Sequence, residues 1–167
     1  EEGFCIMFKK IAVMIFTLSM LAVGSCFAAM VGNVPDSEAS LGGITLGNKM
    51  SYVRSIYGEP TEQHRTKTVL NENGVAYRYG QGFFILENLY DYSIEEIVTT
   101  ANNGISTPRG VTVGIPKATV DALYGEGYLW NGVYRYLTDQ GKRIEIQYGP
   151  DDKGITIVKA IRISYPA

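Results

Sequence analysis

Two short stretches of the chain carry apolar residues at helical spacing. Met50, Val53, Ile56 and Tyr57 fall three and four positions apart, as do Val120, Leu123 and Tyr124, so each set makes one apolar stripe. Each stripe predicts a helix of about ten residues that needs a sheet to pack on. Asn48 offers a side-chain oxygen to cap the first helix, and Pro116 suits the first turn of the second. Gly58 and Gly125 stand where a left-handed residue ends a helix, and Pro60 prevents continuation. After each helix the period changes to two. Strands are predicted over 65–70, 75–79, 83–88 and 94–100, then over 128–130, 133–138, 142–148 and 155–164. Asn73-Gly74 and Asn131-Gly132 are type I′ hairpin signals, and 139–141 and 150–154 supply further turns. Ile144, Ile146 and Tyr148 alternate with Arg143, Glu145 and Gln147, which predicts one buried and one wet face.

The two stretches also match each other. Gly43-Ile44-Thr45-Leu46-Gly47 aligns with Gly110-Val111-Thr112-Val113-Gly114 and continues without a gap to Tyr57-Gly58-Glu59 and Tyr124-Gly125-Glu126. Seven positions are identical, Val53/Val120 among them. Farther on, Asn73-Gly74-Val75 and Tyr77-Arg78-Tyr79 echo Asn131-Gly132-Val133 and Tyr134-Arg135-Tyr136. This order reads as a duplicated supersecondary unit. The expected fold class is therefore α+β: two tandem helix-plus-antiparallel-sheet repeats, able to form one continuous curved sheet with the helices on one face. The units run over 42–104 and 110–167, with a linker at 105–109 and an N-terminal segment at 29–41. Gly47, Gly58, Gly114 and Gly125 are read as structural.

The pattern of glycines, apolar helix and Tyr-Gly-Glu resembles the tandem repeats of the beta-lactamase inhibitor protein family. It is also similar to the SmpA/BamE type of small outer-membrane lipoprotein, which carries a single such unit. The similarity spans roughly residues 42 to 167. It implies an exported, non-enzymatic protein that binds other proteins. The chain differs from the inhibitor proteins in having no cysteine beyond Cys26.

The N-terminus predicts export. Lys9 and Lys10 precede an apolar run from Ile11 to Val23, followed by Gly24-Ser25-Cys26-Phe27-Ala28-Ala29, the layout of a signal peptide over 7–28 cleaved after Ala28. A retained membrane anchor is the competing reading of the same run. Val23-Gly24-Ser25-Cys26 also resembles a lipobox, which makes Cys26 the candidate lipidation site and a lipid-anchored envelope protein the alternative. Residues 1–6 read as an upstream extension before Met7. Removing 1–28 takes away Glu1, Glu2, Lys9 and Lys10, so the net charge stays at −2. This balance lacks the basic excess of a general nucleic-acid binder. The expected partner is another envelope or extracellular protein, with no membrane span after processing.

Catalytic motifs are missing. His64, the single histidine, sits among Glu62, Gln63 and Arg65 with no nucleophile motif beside it. Glu95 and Glu96 point to opposite faces of a strand, with one expected to be solvated. Asp151-Asp152-Lys153-Gly154 reads as a turn without the spaced oxygens of a calcium loop. No phosphate-cradling loop is present. No catalytic residue, cofactor or metal is expected, and a secreted hydrolase is the remote alternative.

Aromatic residues are the remaining signal. All 12 tyrosines and the single tryptophan lie beyond residue 50. Tyr77, Arg78, Tyr79, Tyr134, Arg135 and Tyr136, with Tyr128 and Trp130, are the candidate binding surface, because Tyr, Trp and Arg dominate interface hot spots. Their recurrence at matching positions of a duplicated unit favours a helix–sheet core for the same tyrosines, and carbohydrate stacking would use the same aromatic residues.

Overall fold

The computed structural model describes residues 32–166. The extension at 1–6, the signal peptide at 7–28 and Cys26 lie outside the described residues. The fold is mixed α+β, with two α-helices among the described residues and one large, mostly antiparallel sheet.

The chain starts with β1 (Asn33–Val34), a 3-10 turn (Asp36–Glu38), and a small hairpin of β2 (Ser40–Leu41) and β3 (Ile44–Thr45). Helix α1 (Met50–Tyr57) leads into a meander of β4 (Glu62–Lys67), β5 (Asn73–Tyr79), β6 (Phe83–Asn88) and β7 (Ile94–Thr99). Helix α2 (Lys117–Tyr124) leads into β8 (Tyr128–Trp130), β9 (Val133–Thr138), β10 (Arg143–Pro150) and β11 (Thr156–Ser164). Each helix is followed by four strands that pair in sequence order. The last strands of the two meanders, β7 and β11, then pair antiparallel and join everything into nine strands. β1 adds a parallel pair beside β9 at Leu137 and Thr138.

Register explains where the core lies. Tyr77 faces Ile85, Ile85 faces Ile97, Ile97 faces Ile163, Ile163 faces Ile144, and Ile144 faces Tyr136. Directly opposed residues share a face, so this buried row crosses the sheet from β5 to β9. Both helices lie over it. Tyr57 packs its ring 5.2 Å from Phe83 and 5.8 Å from Tyr79, and Tyr124 lies edge-on to Tyr136 at 5.3 Å. Met50, Val53 and Val120 complete the cluster. Gly58 and Gly125 end the helices at φ 74° and 75°, as their position predicts.

Several local expectations are corrected. Asn73-Gly74 is not a turn: both residues belong to β5, and the hairpin closes at Asn71, where φ is 63°. A Cβ on Gly74 would meet the Glu87 carbonyl oxygen at 2.8 Å and a Thr68 methyl at 2.9 Å, so that glycine serves a close approach. β4 accordingly begins earlier than expected, at Glu62, and stops before Thr68. Asn131-Gly132 does form the expected tight turn, with φ 47° and 83°. Asn48 does not cap α1; its Oδ1 accepts from the Thr45 N–H and hydroxyl, and Lys49 takes the cap position. Pro116 stands one residue earlier than expected, as the cap residue of α2. Ile56 is exposed, because it lies roughly a quarter turn from the stripe of Met50, Val53 and Tyr57. The segment before α2 is pinned in place. The Gly42 N–H donates to the Ser106 carbonyl, and buried Thr107 bonds the Tyr124 hydroxyl at 2.6 Å.

Candidate functional site

A sheet with both helices on one face leaves the other face without a helical cover. Its residues follow from strand alternation. Tyr128 of β8 opposes Arg135, Arg135 opposes Glu145, Glu145 opposes Arg162, Arg162 opposes Val98, Val98 opposes Phe84, Phe84 opposes Arg78, and Arg78 opposes Glu62. This single row spans every strand of both meanders, with apolar and aromatic side chains on both sides of a central ion ladder.

The ladder sits where the two meanders join. Glu145 is buried, although its strand pattern placed it on the wet face. Its burial is tolerable because it is paired. The Arg135 Nε donates to Oε1 at 2.7 Å, Arg162 approaches Oε2 at 3.4 Å, and Arg143 lies 3.7 Å away. Arg162 also donates to Glu96 at 2.5 Å, so Glu96 is the ion-paired partner across the junction. Glu95 points to the other face and is buried, not solvated; it accepts from the Asn88 amide at 2.6 Å.

Apolar ground flanks the ladder. On the α1 side, Ala76, Phe84, Leu86 and Val98 are half-buried and line a cavity of about 330 Å³ with Thr66, Glu96 and Arg162. On the α2 side, Tyr128, Trp130, Leu137 and Pro166 line one of about 390 Å³, together with Gly32, Asn33, Arg135 and Arg143. Tyr128 and Trp130 are 55% and 44% exposed, with the Arg135 guanidinium 4.9 Å from the Trp130 ring centre.

The eight residues singled out from sequence therefore divide between the two faces. Arg78, Tyr128, Trp130 and Arg135 lie on the uncovered face. Tyr77, Tyr79 and Tyr136 are buried under the helices, and Tyr134 packs half-buried against them, so these four tyrosines belong to the core. The cause is period two: in Tyr-Arg-Tyr the arginine and the tyrosines must point opposite ways. The Tyr77 hydroxyl donates to buried Glu87 at 2.7 Å, and burial with that carboxylate pushes its phenol up to about 12. Burial also pushes the Tyr124 and Tyr148 phenols up. Phe84, Leu86, Val98, Leu137 and Arg143 were not singled out. Their signal was alternation with the buried positions of the same strands.

His64 is exposed on β4, opposite Ala76 of β5. Among the described residues, no three His, Cys, Asp or Glu side chains are placed to hold a metal ion. No helix among them is long and apolar enough to cross a membrane.

The class defined by these features is an α+β protein with a helix-backed antiparallel sheet and one open face. No protein-family model matches the chain, and no curated protein matches it. Among solved structures, the fold is similar to that of a cysteine-rich secretory protein from Staphylococcus aureus subsp. aureus Mu50. The TM-score is 0.50 at 11% identity, over 81% of this chain and 50% of that one. The chain thus spans about half the length of that protein. At this identity the likeness concerns the fold alone.

Proposed function

We propose that the chain is an exported, non-catalytic binding or assembly module of the bacterial envelope, and that the uncovered sheet face is where its protein partner docks. The observation that carries this reading is the row from Tyr128 to Glu62, in which aromatic and apolar residues flank an arginine–glutamate ladder built on the buried Glu145. Such a surface has the composition of interface hot spots, with Arg and aromatic anchors around a paired charge. The lysine pair and apolar run before residue 28 support export. The order of elements, a helix and then four strands in each half, supports reading the chain as a duplicated unit, while the resemblance to the tandem inhibitor and SmpA/BamE-type proteins rests on the sequence pattern.

The test is site-specific photocrosslinking. A photoreactive residue at Phe84, on the open face, should yield a discrete adduct in envelope preparations, whereas one at exposed Tyr52 on α1 should not. Equal labelling from both positions, or none from Phe84, defeats the reading. The lipobox-like Val23-Gly24-Ser25-Cys26 favours a second form of the same module, anchored through Cys26. Intact mass distinguishes a diacylated Cys26 from an unmodified terminus at Ala29.

A further inference from the structure

We infer that the cavity between Trp130 and Arg143 binds an apolar molecule or chain end through its carboxylate. The volume, about 390 Å³, lies within the roughly 300–1,000 Å³ of small-molecule sites. Its walls are mainly apolar: Tyr128, Trp130, Leu137 and Pro166. Polar recognition is concentrated in two arginines, Arg135 and Arg143, and these are not equivalent.

Charge balance singles out Arg143. At the ladder three guanidinium groups, those of Arg135, Arg143 and Arg162, meet two carboxylates, Glu145 and Glu96. Arg135 holds Glu145 at 2.7 Å and Arg162 bridges both carboxylates. Arg143 is left with Glu145 at 3.7 Å, beyond hydrogen-bond reach, and a bond from Nη2 to the Tyr165 carbonyl oxygen at 3.1 Å. Its Nε, the atom 3.7 Å from Glu145, is shielded from solvent and, like the Nε of Arg162, makes no hydrogen bond among the described residues. The outer face of the guanidinium is therefore what the cavity meets. The neighbouring Ser164, fully buried and opposite Arg143 across the β10–β11 pair, has a hydroxyl without a partner among the described residues. Among the described residues the ladder leaves one surplus cation at an apolar cavity, which selects an anion with an apolar body. A carboxylate on a hydrocarbon or aromatic group fits this chemistry, whether it comes from a free acid or from the C-terminus of a partner protein.

Trp130, the only tryptophan of the chain, lines the cavity and reports its occupancy. The full exported chain is titrated with decanoate and with decanol, and with a short peptide ending in Leu-Phe as its free acid and as its amide. At least one acid should change Trp130 emission saturably, at concentrations at least about tenfold lower than its neutral counterpart needs. A response to decanoate alone identifies a free acid, and a response to the peptide acid alone identifies a chain end; either upholds the inference. Arg143→Met should remove the preference for the acid while leaving the response to the neutral probe, and Arg143→Lys should restore part of it. The inference is overturned if neither acid saturates, if acid and neutral forms act alike, or if a folded Arg143→Met chain keeps the preference. The acid–neutral comparison in the unaltered chain decides even if Arg143→Met does not fold. The cavity shares Tyr128 and Arg135 with the proposed docking row but not Phe84, and the acid–neutral comparison uses the chain without a partner, so failure of crosslinking at Phe84 and failure of carboxylate binding here are distinguishable results.

Discussion

The α1 half and the α2 half share one frame, a short helix closed by a positive-φ glycine and a four-strand meander, yet they are finished differently at the rim. In the α1 half the outermost strand, β4, is six residues of polar and charged side chains, every one exposed. Charged edge strands of this kind resist pairing with other chains. In the α2 half the corresponding β8 is only Tyr128-Leu129-Trp130, and the edge of β9 beyond it is covered by β1. The N-terminal segment is fastened there by side chains as well. Asp36 accepts from Lys142 at 2.7 Å and Thr138 at 2.8 Å, and buried Glu38 accepts from the Tyr124 hydroxyl at 2.7 Å. The contrast separates what packing fixes from what it leaves open. The helix-backed face is set by packing and is alike in both halves, whereas the rims are free to differ, and the aromatic cavity forms at the rim that the N-terminal segment reaches.

The largest expected effect tests the shared frame. Tyr136 is fully buried and Tyr79 nearly so, each under the aromatic residue at its helix end. Tyr136→Ala and Tyr79→Ala should each destabilise by roughly 3–5 kcal/mol, as truncation of buried aromatics does. Half-buried Tyr134 should cost clearly less on the same substitution. Urea titration of the three variants checks the order, and a Tyr134 variant as damaged as the other two breaks the assignment of faces.

A smaller pair of effects compares the helix ends. Gly58→Val and Gly125→Val place a β-branched residue at φ 74° and 75°, each with open space where the side chain would go. Both should therefore lose about 1–3 kcal/mol through backbone strain alone, and by similar amounts. Tyr124→Phe should cost about 1 kcal/mol or more, since it leaves buried Glu38 without its phenol donor. Tyr57→Phe, which gives up a bond to the Gly42 carbonyl oxygen in a half-exposed setting, should cost less. Thermal melting gives both comparisons. Equal losses for the two phenylalanine variants would show that Glu38 adds nothing to the α2 half.

Legibility followed the same division. The helix stripes, the closing glycines and the Asn131-Gly132 turn could be read because each rests on a local rule. Gly74 misled because a glycine kept for a close backbone approach looks the same in sequence as one kept for a turn. Glu145 misled because its neutralising partners, Arg135 and Arg162, arrive from two other strands. The pairing of β7 with β11 and the parallel addition of β1 depend on contacts far apart in the chain, which periodicity does not report. Which aromatics face outward became decidable only with register, since Tyr-Arg-Tyr alternates the same way whichever face is buried.

Alkaline pH offers a further comparison. The Tyr77 phenol is raised from its ordinary 10.0 to about 12, by burial first and then by Glu87. A raised folded value means that stability is unaffected below about pH 10 and is lost as the pH rises from there towards 12, because the unfolded chain gives up the proton first. Tyr77→Phe should flatten that part of the decline, read by denaturant titration at several alkaline pH values. Buried Tyr124 and half-buried Tyr148 of the α2 half are raised as well, so a decline should persist in the variant. A decline unchanged by Tyr77→Phe would remove Tyr77 as a contributor.

The smallest effects separate the two arginines of the Tyr-Arg-Tyr segments. Arg78 pairs with Glu62 at 3.0 Å, but both side chains are well exposed, at 40% and 64%. Solvent screens such a pair, and holding two long side chains together costs entropy, so Arg78→Ala should change stability by less than about 1 kcal/mol. Arg135 stands at the equivalent place in β9 but holds a carboxylate that is only 8% exposed, at 2.7 Å. Its removal strips the buried Glu145 of its shortest hydrogen bond and takes the cation from the Trp130 ring, so Arg135→Ala should cost more than Arg78→Ala. Added salt should shrink the Arg78 effect further and leave the Arg135 effect largely intact, because a buried pair is poorly screened. Equal costs and equal salt sensitivity would mean that the ladder at the junction of the two meanders is no more than surface charge.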